Sequence, residues 1–311
     1  MISLFTMMIC CSCQSKEQHK EQEKEIVKLK ETEDKKTEDK KTKETNIKDN
    51  IKADEQKVIK KDFVVCIDPG HYGGWNRIYF NDGSSYSEGD VTLPIALKLK
   101  EILENKYGIE CILTRDTPDI NIDGYVNESL DSGKISLRGV KSEGCDLFIS
   151  IHTNANLDFA NGYETLYQPV SLNRPVIILN KIAMNNEESL NVANKVGERI
   201  TETLKNNELT STGEFNKVYE SSQIKEWSDE LNDSLNSPGT LFYRLSDNGD
   251  DYYGVLRGAA TVGVPGMIVE HSFHTVPEIR EALLNGNLIE ELAKADADGI
   301  AEGLGIKKDD K

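Results

Sequence analysis

The stretch that decides the fold is Val64–Gly74, with the sequence VVCIDPGHYGG. Its first half is short, apolar and β-branched, which predicts a buried strand, and the proline and glycine that follow end this strand. His71 comes directly afterwards, at the position where open α/β sheets place their chemistry. Gly73 and Gly74 allow the backbone to fold close to whatever His71 faces. The stretch therefore indicates either a functional histidine or a surface turn that contains one.

Strand and helix patterns alternate along the rest of the chain. The predicted strands after the first one cover residues 109–114, 146–152, 163–167 and 266–270. The predicted helices cover about residues 93–107, 136–138, 188–204 and 288–303. This alternation predicts one α/β domain over residues 62–306, with a mainly parallel, twisted sheet flanked by helices.

The first thirteen residues, MISLFTMMICCSC, are apolar and carry no charged side chain. Their length suits the apolar region of a signal peptide and is too short to span a bilayer. The segment resembles the end of a bacterial lipoprotein signal peptide, and Ser12 followed by Cys13 fits the processing junction. We therefore expect lipidation at Cys13; plain secretion and an uncleaved segment or misassigned start are the alternatives.

Residues 14–61 form a charged segment with few apolar residues. They contain 15 lysines and 13 acidic residues and so have a net charge of +2. Because the whole chain has a net charge of −17, residues 62–311 have a net charge of −19. We expect a solvated linker, disordered or intermittently helical, and a charged tail at residues 307–311. Because the domain is strongly acidic, its charge argues against nucleic acid as a partner.

Three ionisable residues follow apolar strands. They are His71, His152 and Glu270, and the carboxyl ends of parallel strands lie along one edge of a sheet. Two histidines and a carboxylate are a ligand set for catalytic zinc, and a second carboxylate is needed to move the proton of the attacking water. Glu88 and Glu270 are the candidates, and spacing alone leaves their roles open. Independent core or turn histidines are the alternative.

A set of separated motifs is similar to the zinc-dependent N-acetylmuramoyl-L-alanine amidases of the amidase_3 type. In chain order they are Asp68–Gly74, Glu88, Leu113–Arg115, Leu137–Arg138, Ser150–Asn154 and Val269–Glu270. The resemblance covers about residues 63–306. It implies that His71, Glu88 and His152 bind Zn²⁺ and that Glu270 is the catalytic carboxylate.

The implied reaction is hydrolysis of the amide between N-acetylmuramic acid and L-alanine in bacterial peptidoglycan. Glu270 is expected to take the proton of the water and to return it to the leaving amine. The implied location is outside the cytoplasm, either tethered to the membrane through Cys13 or secreted to the cell wall. No separate wall-binding module is evident, so a lipid tether is expected to provide the location.

Further substrate contacts are predicted at Arg115, Asn154, His271 and His274. The two histidines stand where the family commonly has other residues, and packing at the rim of the site is the alternative for both. Arg138 and Arg257 are also candidates to meet substrate carboxylates, with a structural role as the alternative. The long connection at residues 205–238 suggests either a lid over the metal or an ordinary surface insertion.

Two other classes of function use the same residues differently. A zinc carboxypeptidase-like enzyme would apply the same two histidines and glutamate to a peptide bond of the wall stem. A non-catalytic wall-binding lipoprotein is disfavoured, because every expected ligand and the expected base are present.

Overall fold

A computed structural model of the chain describes residues 63–75, 77–79, 83–155, 174–209, 217–220 and 240–306. The predicted signal segment, the charged linker and the tail at residues 307–311 lie outside these residues and stay predictions. The strand predicted at residues 163–167 also lies outside them.

The described strands are β1 (Val64–Pro69), β2 (Ile78–Tyr79), β3 (Ser85–Tyr86), β4 (Glu110–Leu113), β5 (Asn121–Ile122), β6 (Tyr125–Val126), β7 (Leu147–Asn154), β8 (Val176–Leu179), β9 (Lys217–Glu220), β10 (Thr240–Tyr243) and β11 (Gly266–Phe273). The described helices are α1 (Glu88–Ile102), α2 (Glu128–Gly133), α3 (Ser136–Val140), α4 (Lys181–Met184), α5 (Glu187–Asn206), α6 (Gly254–Thr261), α7 (Pro277–Leu284) and α8 (Asn287–Gly303). A π-helical turn, Leu103–Tyr107, extends α1.

Seven of the described strands form one sheet in the order β4-β1-β7-β11-β8-β10-β9. The strands β4, β1, β7 and β11 are parallel to one another. The strand β8 is antiparallel to β11, whereas β10 is parallel to both β8 and β9. Five of the six pairings are therefore parallel, which confirms the predicted mainly parallel sheet.

The central strands are buried along almost their whole length, as is usual for parallel strands covered on both faces. Helices contribute to both faces of the sheet. A Cβ atom on Gly266 would lie 3.4 Å from the Cβ of Ala259 in α6. His271 points to the other face and meets Asp296 of α8. The predicted flanking by helices is thus confirmed.

Several predicted boundaries need correction. The strands that carry His152 and Glu270 continue to Asn154 and Phe273, so both side chains lie inside strands near their carboxyl ends. Glu88, which lies before the helix predicted at about residues 93–107, is the first residue of α1. Ser87 ahead of it is extended, and Glu88 and Asp90 lie in the first turn, where carboxylates are stabilised by the helix dipole.

A β-bulge separates the end of β11 from the regular register. Glu270 is paired with His152, whereas Phe273 is paired with Asn154, so three steps on β11 match two on β7. Bulges of this kind redirect side chains and are frequent beside active sites.

Among the described residues, no helix is long and apolar enough to cross a membrane.

Candidate metal centre and active site

His71 is held in an unusual backbone conformation just beyond β1. Its φ angle is 58°, in the left-handed region that residues other than glycine seldom occupy. Its carbonyl oxygen accepts a hydrogen bond from Arg138 Nη1 at 3.1 Å. Its ring stacks on the Trp75 ring, with centroids 3.6 Å apart and planes 5° apart. These contacts fix the imidazole at the carboxyl edge of the sheet.

His152 lies against the backbone of the same loop. A Cβ atom on Gly70 would come within 2.5 Å of His152 Cε1 and 2.6 Å of its Nε2. Only a residue without a side chain allows the imidazole to lie there. Gly70 therefore allows the close approach to a histidine that the sequence suggested for Gly73 and Gly74. A Cβ atom on Gly73 would instead meet Pro118, and Gly74 has a positive φ of 76°.

Glu88 brings a carboxylate between the two histidines. Its Oε2 lies 3.3 Å from His71 Nε2, and its Oε1 lies 2.9 Å from His152 Nδ1. The Thr153 backbone N–H also donates to Oε1 at 2.9 Å, which orients the carboxylate. Among the described residues, these three are the one group of His, Cys, Asp or Glu side chains close enough together to hold a metal ion, with ligand atoms within 4.8 Å of one another.

The charges of this cluster favour a cation. Although burial opposes a charge on His71, the Glu88 and Asp131 carboxylates raise its pKa to about 9. Burial likewise opposes ionisation of Glu88, yet the two histidines hold its pKa well below its usual range. Tetrahedral zinc with bonds of about 2.0–2.1 Å separates its ligand atoms by about 3.3 Å. The spacing and chemistry of the three side chains therefore fit a zinc ion.

Glu270 lies next to this cluster on β11, opposite His152 in the strand register. Its Oε2 is buried and has no hydrogen-bond partner among the described residues. Burial raises the pKa of Glu270 to about 7, and the neighbouring Glu88 acts in the same direction against the two histidines. A buried carboxyl group with a pKa near neutrality suits a residue that takes up and releases a proton.

Beneath the histidines lies a buried ion pair. Asp68 and Arg138 are 0% and 1% exposed, and Arg138 Nη2 lies 2.9 Å from Asp68 Oδ1. Thr114 donates a hydrogen bond to Asp68 Oδ1, and Ser150 donates to Oδ2 at 2.7 Å. These contacts agree with the structural alternative for Arg138, because its guanidinium is paired inside the protein.

The other predicted arginines also contact the protein itself. Arg115 is 4% exposed, and its guanidinium donates to the carbonyl oxygens of Pro69, Gly70, Gly89 and Thr117. It therefore supports the loop that carries His71. Arg257 Nη1 donates to the carbonyl oxygen of Asp251 at 2.9 Å.

The histidines after Glu270 are both buried. His271 donates from Nδ1 to the carbonyl oxygen of His152 at 3.0 Å, and its Nε2 lies 2.8 Å from Asp296 Oδ2. His274 stacks on Tyr86, and burial lowers its pKa to about 4. These contacts agree with the packing alternative for both residues.

Asn154 is half-buried at the end of β7, where its Oδ1 accepts from the backbone N–H of Ala155 at 2.8 Å. A contact with substrate stays a prediction for this residue. Of the connection at residues 205–238, the described parts are the end of α5, residues 207–209 and β9, which lies at the edge of the sheet. The lid interpretation also stays a prediction.

Two neighbours of His71 were not identified from the sequence. Trp75 stacks on the ring, and Asp131 Oδ2 lies 3.7 Å from His71 Nδ1. An aromatic residue four positions after a loop histidine was a usable signal for Trp75. Asp131 carries no such signal, because only the tertiary fold brings α2 to His71.

Two histidines, a carboxylate between them and a separate buried carboxyl group on an α/β sheet form the kind of site that metal-dependent hydrolases use. Comparison with known proteins identifies the family. The Amidase_3 family model, described as N-acetylmuramoyl-L-alanine amidase, matches residues 65–302. The chain belongs to this family.

Two curated relatives share part of this sequence. A sporulation-specific N-acetylmuramoyl-L-alanine amidase of Bacillus subtilis is 34% identical over 106 residues, which are 34% of this chain and 36% of the relative. An uncharacterised cell wall amidase of Bacillus anthracis is 31% identical over 110 residues, which are 33% of this chain and 18% of the relative. The matched region thus spans well under half of either relative.

A solved structure shows the same fold. The catalytic domain of CwlV, an N-acetylmuramoyl-L-alanine amidase from Bacillus (Paenibacillus) polymyxa var. colistinus, superposes with a TM-score of 0.50. The superposition covers 79% of this chain and 99% of that domain at 17% sequence identity.

Proposed function

We propose that this chain hydrolyses the amide bond between N-acetylmuramic acid and L-alanine in peptidoglycan, with a zinc ion held by His71, Glu88 and His152. Membership of the amidase family supports the bond and the substrate. The arrangement of the three ligand atoms within 4.8 Å supports the metal site. The observation that carries the proposal is the buried, unpaired oxygen of Glu270 beside this cluster.

A zinc ion bound there supplies Lewis acidity to the substrate carbonyl and to the attacking water. Glu270 accepts the proton of that water at its carboxylate and returns it to the nitrogen of the leaving L-alanine. Without a metal ion, burial raises the pKa of Glu270 to about 7. A zinc cation beside it would lower this pKa, so that Glu270 would be ionised and ready to accept a proton near neutral pH. Trp75 stacks on the His71 ring, and the absence of a side chain at Gly70 leaves the space that the His152 imidazole occupies.

The location of the reaction follows as a second part of the proposal. The substrate lies outside the cytoplasm, and the apolar segment ending in Ser12-Cys13 supports export with lipid attachment at Cys13. Incorporation of a labelled fatty acid by the wild-type chain, but not by Cys13→Ala, is the expected result in a bacterial host. Equal labelling of both would contradict the tether.

Product identification tests the proposed reaction. Purified peptidoglycan is digested with the zinc-loaded full chain, and the soluble products are analysed by mass spectrometry. We expect intact stem peptides with a free L-alanine amino group, together with glycan strands that carry free lactyl carboxylates. Stem peptides trimmed from their carboxyl ends, still attached to the glycan, would instead show a carboxypeptidase.

A further inference from the structure

Ser150 contacts the proposed metal ligand His152 at Nε2, the ring nitrogen that does not face Glu88. It lies two residues before His152 on β7, so that both side chains point to the same face of the sheet. Ser150 Oγ lies 3.0 Å from His152 Nε2 and donates to Asp68 Oδ2 at 2.7 Å. Both Ser150 and Asp68 are 0% exposed, so no solvent competes for these hydrogen bonds.

The charge of Asp68 sets the direction of this chain of hydrogen bonds. Burial opposes its ionisation, but Arg138 and the hydroxyl donors Thr114 and Ser150 lower the pKa of Asp68 below its usual value. An ionised carboxylate only accepts hydrogen bonds, and a serine hydroxyl has a single proton. Ser150 donates that proton to Asp68, so its oxygen is left to accept from His152 Nε2–H.

This direction determines which nitrogen of His152 is free. An imidazole that binds a metal ion is neutral and carries one N–H, so a proton on Nε2 leaves the lone pair on Nδ1 for the metal. Nδ1 is the atom that faces Glu88, at 2.9 Å from Oε1. The Thr153 backbone N–H donates to Oε1 and thereby orients the Glu88 carboxylate. Oε1 and His152 Nδ1 are thus both directed at the proposed metal position.

We infer that Ser150, held by Asp68 and Arg138, is a positioning residue that keeps His152 in the Nε2–H form and presents Nδ1 to the metal. The inference rests on the metal site of the proposed function. Arg138 also donates to the carbonyl oxygen of His71. One buried ion pair thus supports both ligand histidines.

The test compares three variants of the zinc-loaded full chain with the wild type. Ser150→Ala removes the hydroxyl, and Ser150→Thr retains it. Ser142→Ala is the matched control, since Ser142 is equally buried and its hydroxyl donates to the Gly139 carbonyl oxygen, away from the metal ligands. Zinc affinity is measured by competition with a chromophoric chelator. Long-range ¹H–¹⁵N spectra report which nitrogen of His152 binds zinc and how fast the remaining N–H proton exchanges.

Removal of a residue that hydrogen-bonds to a metal ligand typically weakens metal affinity by about 10- to 100-fold. We expect a loss of zinc affinity of this size in Ser150→Ala. Ser150→Thr should recover most of this loss, and Ser142→Ala should bind zinc like the wild type. The wild-type spectra should show zinc on Nδ1 and a slowly exchanging Nε2–H, which exchanges faster in Ser150→Ala.

Two results would overturn the inference: Ser150→Ala binding zinc as tightly as the wild type, or wild-type His152 binding zinc through Nε2. The spectra of the wild type decide the second point even if Ser150→Ala does not fold. Failure of the proposed function is a separate result, namely a wild-type chain that binds zinc and releases no stem peptide. The ratio of the variant affinities still decides the inference in that case.

Discussion

Substitution of Gly70 by alanine tests how closely the backbone loop fits His152. The new Cβ would lie 2.5 Å from His152 Cε1, 2.6 Å from its Nε2 and 2.6 Å from the Ile151 carbonyl oxygen, whereas ordinary contacts begin at 3.4 Å. Relief of this overlap requires a shift of about 1 Å, because neither neighbour is the flexible end of a side chain. A displacement of about 1 Å in a catalytic group can lower activity by about 100-fold.

The assay for Gly70→Ala is kcat/KM for release of stem peptide, together with zinc affinity and the free energy of unfolding. We expect a loss of about 100-fold in kcat/KM and a destabilisation of about 1–3 kcal/mol from overpacking. Gly133→Ala is the matched control, since its Cβ would meet nothing within 4 Å. Wild-type activity and zinc affinity in Gly70→Ala would refute the argument that this glycine is needed for the approach of His152.

Two further predictions concern stability. Arg138→Met leaves the Asp68 carboxylate buried without its cation and should lower the free energy of unfolding in urea by about 3–5 kcal/mol. The control is Arg199→Met, at an ion pair whose arginine side chain is 38% exposed, which should lower it by at most about 1 kcal/mol. Equal losses in the two variants would contradict the role of the buried pair. His274 has a folded-state pKa of about 4 against 6.5 when unfolded, so the unfolded chain binds the proton first and stability falls as the pH drops through this range. With about 1.4 kcal/mol per pKa unit, the contribution of His274 to this fall should be about 2 kcal/mol between pH 7 and pH 5 in metal-free protein. It is read as the difference between the wild type and a variant without this histidine, because the raised pKa values of Glu270 and His71 act in the opposite direction. His274→Phe should lose this part of the pH dependence, and an unchanged pH dependence would show that His274 is not the group responsible.

The elements that place the site were predictable because they depend on short local patterns. Apolar runs followed by breakers located β1, β7 and β11, and the shared edge of parallel strands predicted that His71, His152 and Glu270 would meet. The structure brings all three together. The ends of β7 and β11 were placed too early, because polar residues near the site continue the strands and the bulge in β11 has no sequence signal.

Other features depend on tertiary contacts that a sequence pattern does not contain. The role of Glu88 came from the family resemblance, since its distance from His152 is set by how α1 packs on the sheet. Arg115 and Arg138 belong to motifs that the sequence shares with the family, but their roles inside the protein follow from burial. The contact between Ser150 and His152 required both the strand and the position of Asp68.

The most direct test of the central claim is Glu270→Gln, measured for both metal content and amide cleavage. The variant keeps the size of the side chain and all three proposed ligands but removes the group that moves the proton. We predict one zinc per chain, as in the wild type, and a loss of about 10²- to 10⁴-fold in the release of L-alanine stem peptides. Full cleavage activity in the zinc-loaded Glu270→Gln chain would contradict the account.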